Sequence, residues 1–257
     1  MMSENIDFTI PAERPAFPGP LKEGKLDLAK VKRGVVSFTF DDGVYKTWLP
    51  QMPLFARYGA RATFFYSGEI TPEKAESMKV LRGYGHSVGL HTLRHKDAVD
   101  VEMNAYFDEQ IRPQIEAAAA CGVTDLRYFA YPNNRHSEET DAFLSRHFRR
   151  FRAGIGIKLP KGFRIAEQDK AYIPYADLPG RRVMGGCGIG AYYDSTVENL
   201  DAALTRAAEE NLLIVFFSHG IYPGAKSVDM PTELLEHLLE KCSELGLLVA
   251  GFDEIPE

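Results

Sequence analysis

Short runs of β-branched and aromatic residues recur along this chain. Each is followed by a stretch with apolar residues at helical spacing, and that alternation restricts the fold to the α/β class. The runs are VVSFTF (35–40), RATFFY (61–66), HSVGLHT (86–92), LRYFAYP (126–132), FRAGI (151–155), LLIVFFS (212–218) and LLVAGF (247–252). One more short strand is expected near 182–184. The first run shows no polar alternation, which marks a strand covered on both faces, as in a parallel sheet. Between the runs, a helix is expected to start around Pro53. Thr71 followed by Pro72 opens a second, which runs to Gly83 or Gly85. A long helix over 101–121 carries Pro113 as a kink or break. Ser137 caps a helix through His147, Ser195 and Glu198 read as a capping-box pair for a helix ending near Asn211, and Pro231 to Leu245 closes on Gly246. The expected fold is an irregular (β/α) barrel of about seven strands, mostly parallel. From 158 to 193 the pattern dissolves into glycine, proline and tyrosine. GGCGIG at 185–190 does not fit GxGxxG, has no clear strand before it, and reads as a flexible loop.

With 257 residues, 45% of them hydrophobic, the chain can bury a sizeable core. The formal net charge of −6 comes without a basic stripe, so nucleic acid is not an expected partner. Three cysteines lie far apart with no CxxC pair, so neither a disulfide framework nor a cysteine zinc site is indicated. No stretch approaches the ~20 apolar residues of a membrane span. Residues 1–34 hold Pro11, Pro15, Pro18 and Pro20 and read as an extended arm before a catalytic domain at 35–257. The start lacks the basic and apolar regions of a signal peptide. As the sequence stands a cytoplasmic protein is expected; with a leader trimmed off, a secreted or periplasmic one would read the same.

Four strands end in polar or special residues, and in a parallel barrel those ends meet on one face. Asp41 and Asp42 end the first, His91 and His95 follow the third, Tyr131 to Asn134 the fourth, and Ser218 and His219 a late one. Neighbouring strand residues point to opposite faces, so the two aspartates share a site only if the chain bends there; Gly43 permits that bend. His91 and His95 would be roughly 13 Å apart in an extended chain. One helical turn would bring them to about 5–6 Å, suiting two ligands of one ion. With one aspartate they make a three-ligand set that leaves a position open. Thr92 stands where the HExxH pattern has its glutamate, so the second aspartate is the available general base. His219 is suited to protonate a leaving group near neutral pH. There is no GxSxG elbow, and Thr39 stands where a DxD phosphatase needs an aspartate.

These residues resemble the polysaccharide deacetylases, the nodulation-protein-B homology group or carbohydrate esterase family 4, over roughly residues 35–252. TFDDG (39–43) is similar to the first motif and HTLRH (91–95) to the second. RYFAYPNN (127–134) resembles the third and FFSHG (217–220) the last. The resemblance implies Asp41 as catalytic base and His219 as catalytic acid. It implies Asp42, His91 and His95 as ligands of one divalent metal ion: zinc, with cobalt, nickel or manganese as alternatives. It further implies Tyr131 and the Asn133 N–H on the substrate and oxyanion side, and Phe217 at the acetyl pocket. Asn133 and Asn134 replace the family's Tyr-Gly pair. The motif's arginine falls at Ala130, which leaves Arg127, three residues earlier, as a base-orienting candidate, with Arg135 and Arg182 as others. The fourth motif is not visible, and the single tryptophan is Trp48.

The function expected from this resemblance is metal-dependent removal of N- or O-linked acetyl groups from a carbohydrate. Two alternatives are hydrolysis of a cyclic ureide, imide or other small amide, and an inactive carbohydrate-binding member.

Overall fold

The computed structural model describes residues 24–156 and 162–256. Most of the expected N-terminal arm, 1–23, lies outside the described residues. The first strand, β1 (Val35–Phe40), is buried along its whole length. The pleat splits its side chains between two cores. Val36, Phe38 and Phe40 join Trp48, Phe55 and Leu238 in the layer beneath the helices. Val35 joins Phe65, Tyr128, Leu213 and Val215 in a smaller cluster inside the ring of strands.

β2 (Thr63–Tyr66), β3 (Ser87–Leu90), β4 (Tyr128–Ala130) and β5 (Arg150–Gly154) follow in parallel. After β6 (Tyr172–Ile173), β7 (Val183–Gly188) and β8 (Leu213–Ser218) return to β1. β8 pairs with β1 from Val35↔Leu213 to Phe40↔Ser218, closing a barrel of seven parallel strands, β1-β2-β3-β4-β5-β7-β8. β6 pairs antiparallel with β8 at Leu213 and Ile214, before β7 takes over at Phe216 and Phe217. A small parallel pair, β9 (Ile221–Tyr222) and β10 (Met230–Pro231), follows. The last strand, β11 (Leu248–Val249), pairs with β1 at Val35 and Val36, whereas β2 pairs with β1 only at Thr39 and Phe40. The wedge is sealed on its other side by the Arg61 N–H to the Val249 carbonyl, 3.1 Å.

Several local expectations are corrected. Gly185 to Gly188 are not a flexible loop: they lie in β7, paired with β5 and β8. Glycine is required because neighbours occupy the space of a side chain; a Cβ at Gly188 would lie 2.5 Å from the Tyr193 ring. The helix Val197–Glu209 is capped by Thr196, whose side chain accepts from the Asn199 N–H, while the Ser195 hydroxyl bonds Gly190 instead. The long helix does not simply kink. It runs as Met103–Tyr106, a π-helical turn Phe107–Ile111, and Arg112–Ala120. Pro113 brings no N–H to the ladder, and the wider turn before it absorbs the mismatch. Thr71 and Ser137 cap their helices as expected, and Gly246 ends Thr232–Leu245 at φ 71°.

Candidate active site and metal centre

A ring of parallel strands delivers all its C-terminal ends to one rim. At the end of β1 the Asp41 N–H still bonds the Ser218 carbonyl, so Asp41 keeps the inward direction of Thr39. Asp42 then turns at φ 72° and Gly43 at φ 65°. This bend lets two adjacent carboxylates face one site. The Ser67 hydroxyl holds the turn by donating to the Asp42 carbonyl, 3.0 Å.

The two histidines come together without the helical turn expected for them. His91 continues β3, its N–H on the Tyr66 carbonyl. Thr92 then adopts φ 68° and His95 φ 52°, folding the segment back until the two rings meet edge to face at 4.8 Å. A positive φ is costly for a β-branched residue, about 1–3 kcal/mol, and persists only where neighbours impose it. Asp42 Oδ1 lies 3.6 Å from Nε2 of His91 and 3.6 Å from Nε2 of His95. Those gaps are too long for hydrogen bonds. They match two donors sharing one tetrahedral ion, which stand about 3.3–3.6 Å apart. His91 Nδ1 bonds the Ala130 carbonyl at 2.8 Å, which makes that nitrogen the donor and leaves the Nε2 lone pair facing Asp42. Burial pushes the His91 pKa down to about 4, outweighing the nearby Asp41 charge, so the ring is neutral as a ligand must be. The chain thus presents a carboxylate and two imidazoles in an arrangement that fits a divalent ion.

Asp41 sits beside this set, 2% exposed. Its Oδ2 accepts from Arg152 Nη2; its Oδ1 has no partner among the described residues. Burial alone would raise its pKa, but the Arg152 guanidinium, the strongest charge facing it, holds it below the usual carboxylate range. The arginine that bonds Asp41 is therefore Arg152, on β5, and not Arg127. Arg127 is spent on its near neighbour Asp125, Arg135 bonds Asp97, and Arg182 reaches the carbonyls of Phe148 and Arg149. Ala130 and Arg152 are direct cross-strand partners. A guanidinium on β5 consequently enters the barrel level with the position where the resemblance places the motif's arginine. Asn134 supports it, accepting from Arg152 Nη1 through its amide oxygen while holding φ 59°.

Tyr131 does not join the site. Since Ala130 points inward, the pleat turns Tyr131 outward, where its hydroxyl donates to Asp141 at 2.7 Å and its ring stacks on His136. Asn133 stands on the rim at φ 53°, its side chain donating to Asp97 at 2.7 Å. Phe217 is 5% exposed, with the Arg152 guanidinium 4.8 Å over its ring and Tyr193 edge-on at 5.2 Å. The Tyr193 pKa is raised to about 12, by burial first and then by the Asp41 charge. His219 Nε2 lies 3.8 Å from Asp42 Oδ2, and its Nδ1 donates to the Val228 carbonyl at 3.2 Å. Trp48 fixes this segment by donating to the His219 carbonyl, 2.7 Å. Sequence reasoning missed Arg152, Asn134 and Tyr193. The available signal for Arg152 was its lodging as the single polar residue of the run FRAGI (151–155).

Against known proteins, the polysaccharide deacetylase family matches residues 29–148. A putative polysaccharide deacetylase of Bacillus subtilis, YxkH, is 30% identical over 132 residues, 46% of this chain and 45% of that protein. A chitin deacetylase of Arthroderma benhamiae is 34% identical over 85 residues, 32% of this chain and 23% of that protein. The chain thus spans less than half the length of these curated relatives. Among solved structures, the peptidoglycan deacetylase PdaC of Bacillus subtilis superposes with a TM-score of 0.59 at 14% identity, covering 88% of this chain and 90% of that one. A family 4 carbohydrate esterase of Streptomyces lividans, in complex with acetate, gives 0.54 at 16%, covering 87% and 98%. At these identities the structures share the fold. No helix among the described residues is long and apolar enough to cross a membrane.

Proposed function

Because residues 29–148 of this chain match the polysaccharide deacetylase family, we propose that it is a metal-dependent hydrolase that removes acetyl groups from an acetylated carbohydrate. The observation that carries the reading is one carboxylate oxygen, Asp42 Oδ1, standing 3.6 Å from two histidine Nε2 atoms, with Asp41 Oδ1, unpartnered among the described residues, in the adjacent residue. The chitin and peptidoglycan deacetylases among its relatives support the substrate class.

Asp42, His91 and His95 would hold the ion, zinc being the metal that suits two imidazoles and a carboxylate. When bound, such an ion polarises the acyl oxygen and lowers the pKa of water toward ~7. Asp41, kept ionised and fixed in direction by Arg152, takes the proton from the attacking water at its free Oδ1. The Asn133 N–H donates to the oxyanion that develops on the acyl oxygen as water adds to the acyl carbon. His219, with Nδ1 committed to the Val228 carbonyl, gives a proton from Nε2 to the departing nitrogen. Phe217 and Tyr193 wall the acyl group and limit the water reaching it.

Metal analysis of the purified protein, then acetate release from chitooligosaccharides, acetylated xylan fragments and a cyclic imide, tests the reading. Asp41→Asn should keep the metal and lose about 10²–10⁴-fold in turnover. Asp42→Asn should lose metal. The reverse pattern would exchange the two roles, and turnover of the imide alone would replace the carbohydrate.

A further inference from the structure

The segment carrying His91 and His95 has little regular structure of its own: no residue from His91 to Leu93 lies in a strand or helix, and Thr92 is held at φ 68°. Its Thr92 side chain does not brace it, for the buried Thr92 hydroxyl has no hydrogen-bond partner among the described residues. What fixes the segment is the helix behind it. Gln110, 1% exposed, lies in the π-helical turn Phe107–Ile111. The Arg112 N–H reaches back five residues to the Phe107 carbonyl there, and Pro113 has no N–H to contribute. The Gln110 carbonyl accepts from the Leu93 N–H at 2.8 Å, and its side-chain Oε1 accepts from the Arg94 N–H at 3.0 Å. One residue thus grips two consecutive amides between the paired histidines.

One helical turn further on, Gln114 is fully buried and faces the neighbouring loop. Its Nε2 donates to the carbonyls of Tyr66, 3.1 Å, and Gly68, 2.8 Å. Gly68 in turn donates its N–H to the Thr92 carbonyl, 3.0 Å. The intervening Ser67 donates to the Asp42 carbonyl. Gln110 therefore holds the backbone of the segment that carries His91 and His95, and Gln114 holds the 66–68 segment, which itself bonds the carbonyls of Asp42 and Thr92. Two fully buried amides on one helix face, each spent on loop backbone, have no packing rationale: methionine or leucine would fill the same volume without needing partners.

We propose that Gln110 and Gln114 are positioning residues that preorganise the Asp42–His91–His95 ligand set, with the π turn presenting Gln110 to the histidine segment. The proposal rests on the metal-centre reading of the site. Groups that orient ligands from behind typically change metal affinity about 10–100-fold when removed. The zinc dissociation constant of the apo protein, measured by competition with a chromophoric chelator, is the first readout. Gln110→Met keeps the shape and deletes the side-chain acceptor; it should weaken zinc binding about 10–100-fold. Gln110→Glu keeps an acceptor for the Arg94 N–H and should recover most of that loss. Gln114→Met, which deletes the donor, should weaken binding as well. Unchanged affinity in both methionine variants, or equal loss in Gln110→Met and Gln110→Glu, would overturn the proposal. The second readout is amide hydrogen exchange at Leu93 and Arg94 in the metal-free wild type. Protection is expected there without any metal, and its loss at Arg94 in Gln110→Met. Exchange at open-loop rates in the wild type would overturn the clamp even if no variant folds. A wild-type protein that takes up no zinc yet protects both amides would instead defeat the metal reading and leave the clamp standing.

Discussion

Replacing Arg152 by alanine would leave Asp41 buried without its cation. An abandoned charge of this kind costs about 3–5 kcal/mol, or the carboxyl takes up a proton and ceases to be a base. Arg152→Ala is therefore expected to lower both thermal stability and turnover. Because Ala130 faces Arg152 across the β4–β5 ladder, adding Ala130→Arg should restore part of both losses. Calorimetry and acetate release on the single and double variants check this, and no recovery in the double variant would mean that β5 supplies something more than a guanidinium. His219 invites a different comparison. An amine leaves poorly unless protonated, whereas an activated aryl acetate expels a good leaving group. His219→Ala should thus depress N-deacetylation far more than aryl acetate hydrolysis, at unchanged metal content; equal losses would reduce His219 to a binding role. At this scale the convergence of Asp41, Asp42, His91, His95 and His219 on one rim was legible because they sit at strand ends in recognisable motifs. Arg152 was not, since whether a mid-strand residue meets Asp41 depends on the register of β5 against β4. Tyr131 misled for a related reason: a one-residue step along the pleat exchanges the inside of the barrel for the outside.

At the scale of elements, the strand runs and most helix starts follow from local chemistry, as Thr71-Pro72 and the Ser137 cap do. What escaped were features decided by neighbours. The glycines of β7 look like loop until Tyr193 and Phe217 are seen filling the space beside them. The turn that pairs the histidines needs φ values that no local propensity favours in threonine. The junction of β2 and β3 carries its own testable consequence. His86 is 2% exposed against Phe55 and Phe64, and its Nδ1 accepts from the Ala62 N–H at 3.0 Å. Burial first, and then the Arg61 charge, depress its pKa from 6.5 to about 3. The unfolded chain therefore binds this proton before the folded one does. The stability tied to neutral His86 is intact above about pH 6.5 and drains away as pH falls toward 3. At pH 5 the loss from this residue is roughly 2 kcal/mol. Urea unfolding at pH 7 and pH 5 should show that difference in the wild type and a smaller one in His86→Gln, which keeps a neutral acceptor.

For the whole molecule, the barrel is finished by residues far apart in the chain. β11 enters between β1 and β2, and the segment after it packs under the ring, with Phe252 against Phe65 and Tyr128. The Arg150 guanidinium, buried inside β5, donates to the carbonyls of Phe252, Ile255 and Pro256. Phe252→Ala should cost about 3–5 kcal/mol by chemical denaturation, as for other fully buried aromatics. A closed parallel barrel was readable from the alternation of strands and helices. The wedge was not, because LLVAGF reads as one more full strand, and only the splaying of β1 from β2 shows that it serves as a short insert. This arrangement has a consequence for how the protein is made. β1 leaves the ribosome early, yet it cannot be enclosed on both sides until β8 and residues 248–256 have emerged. Until then the unpaired edges of β1 are exposed to other nascent chains. The barrel thus cannot close until β11 has emerged, and a translation arrest placed between β8 and β11 should hold the chain in a protease-sensitive state that emergence of residues 248–256 converts to a resistant one.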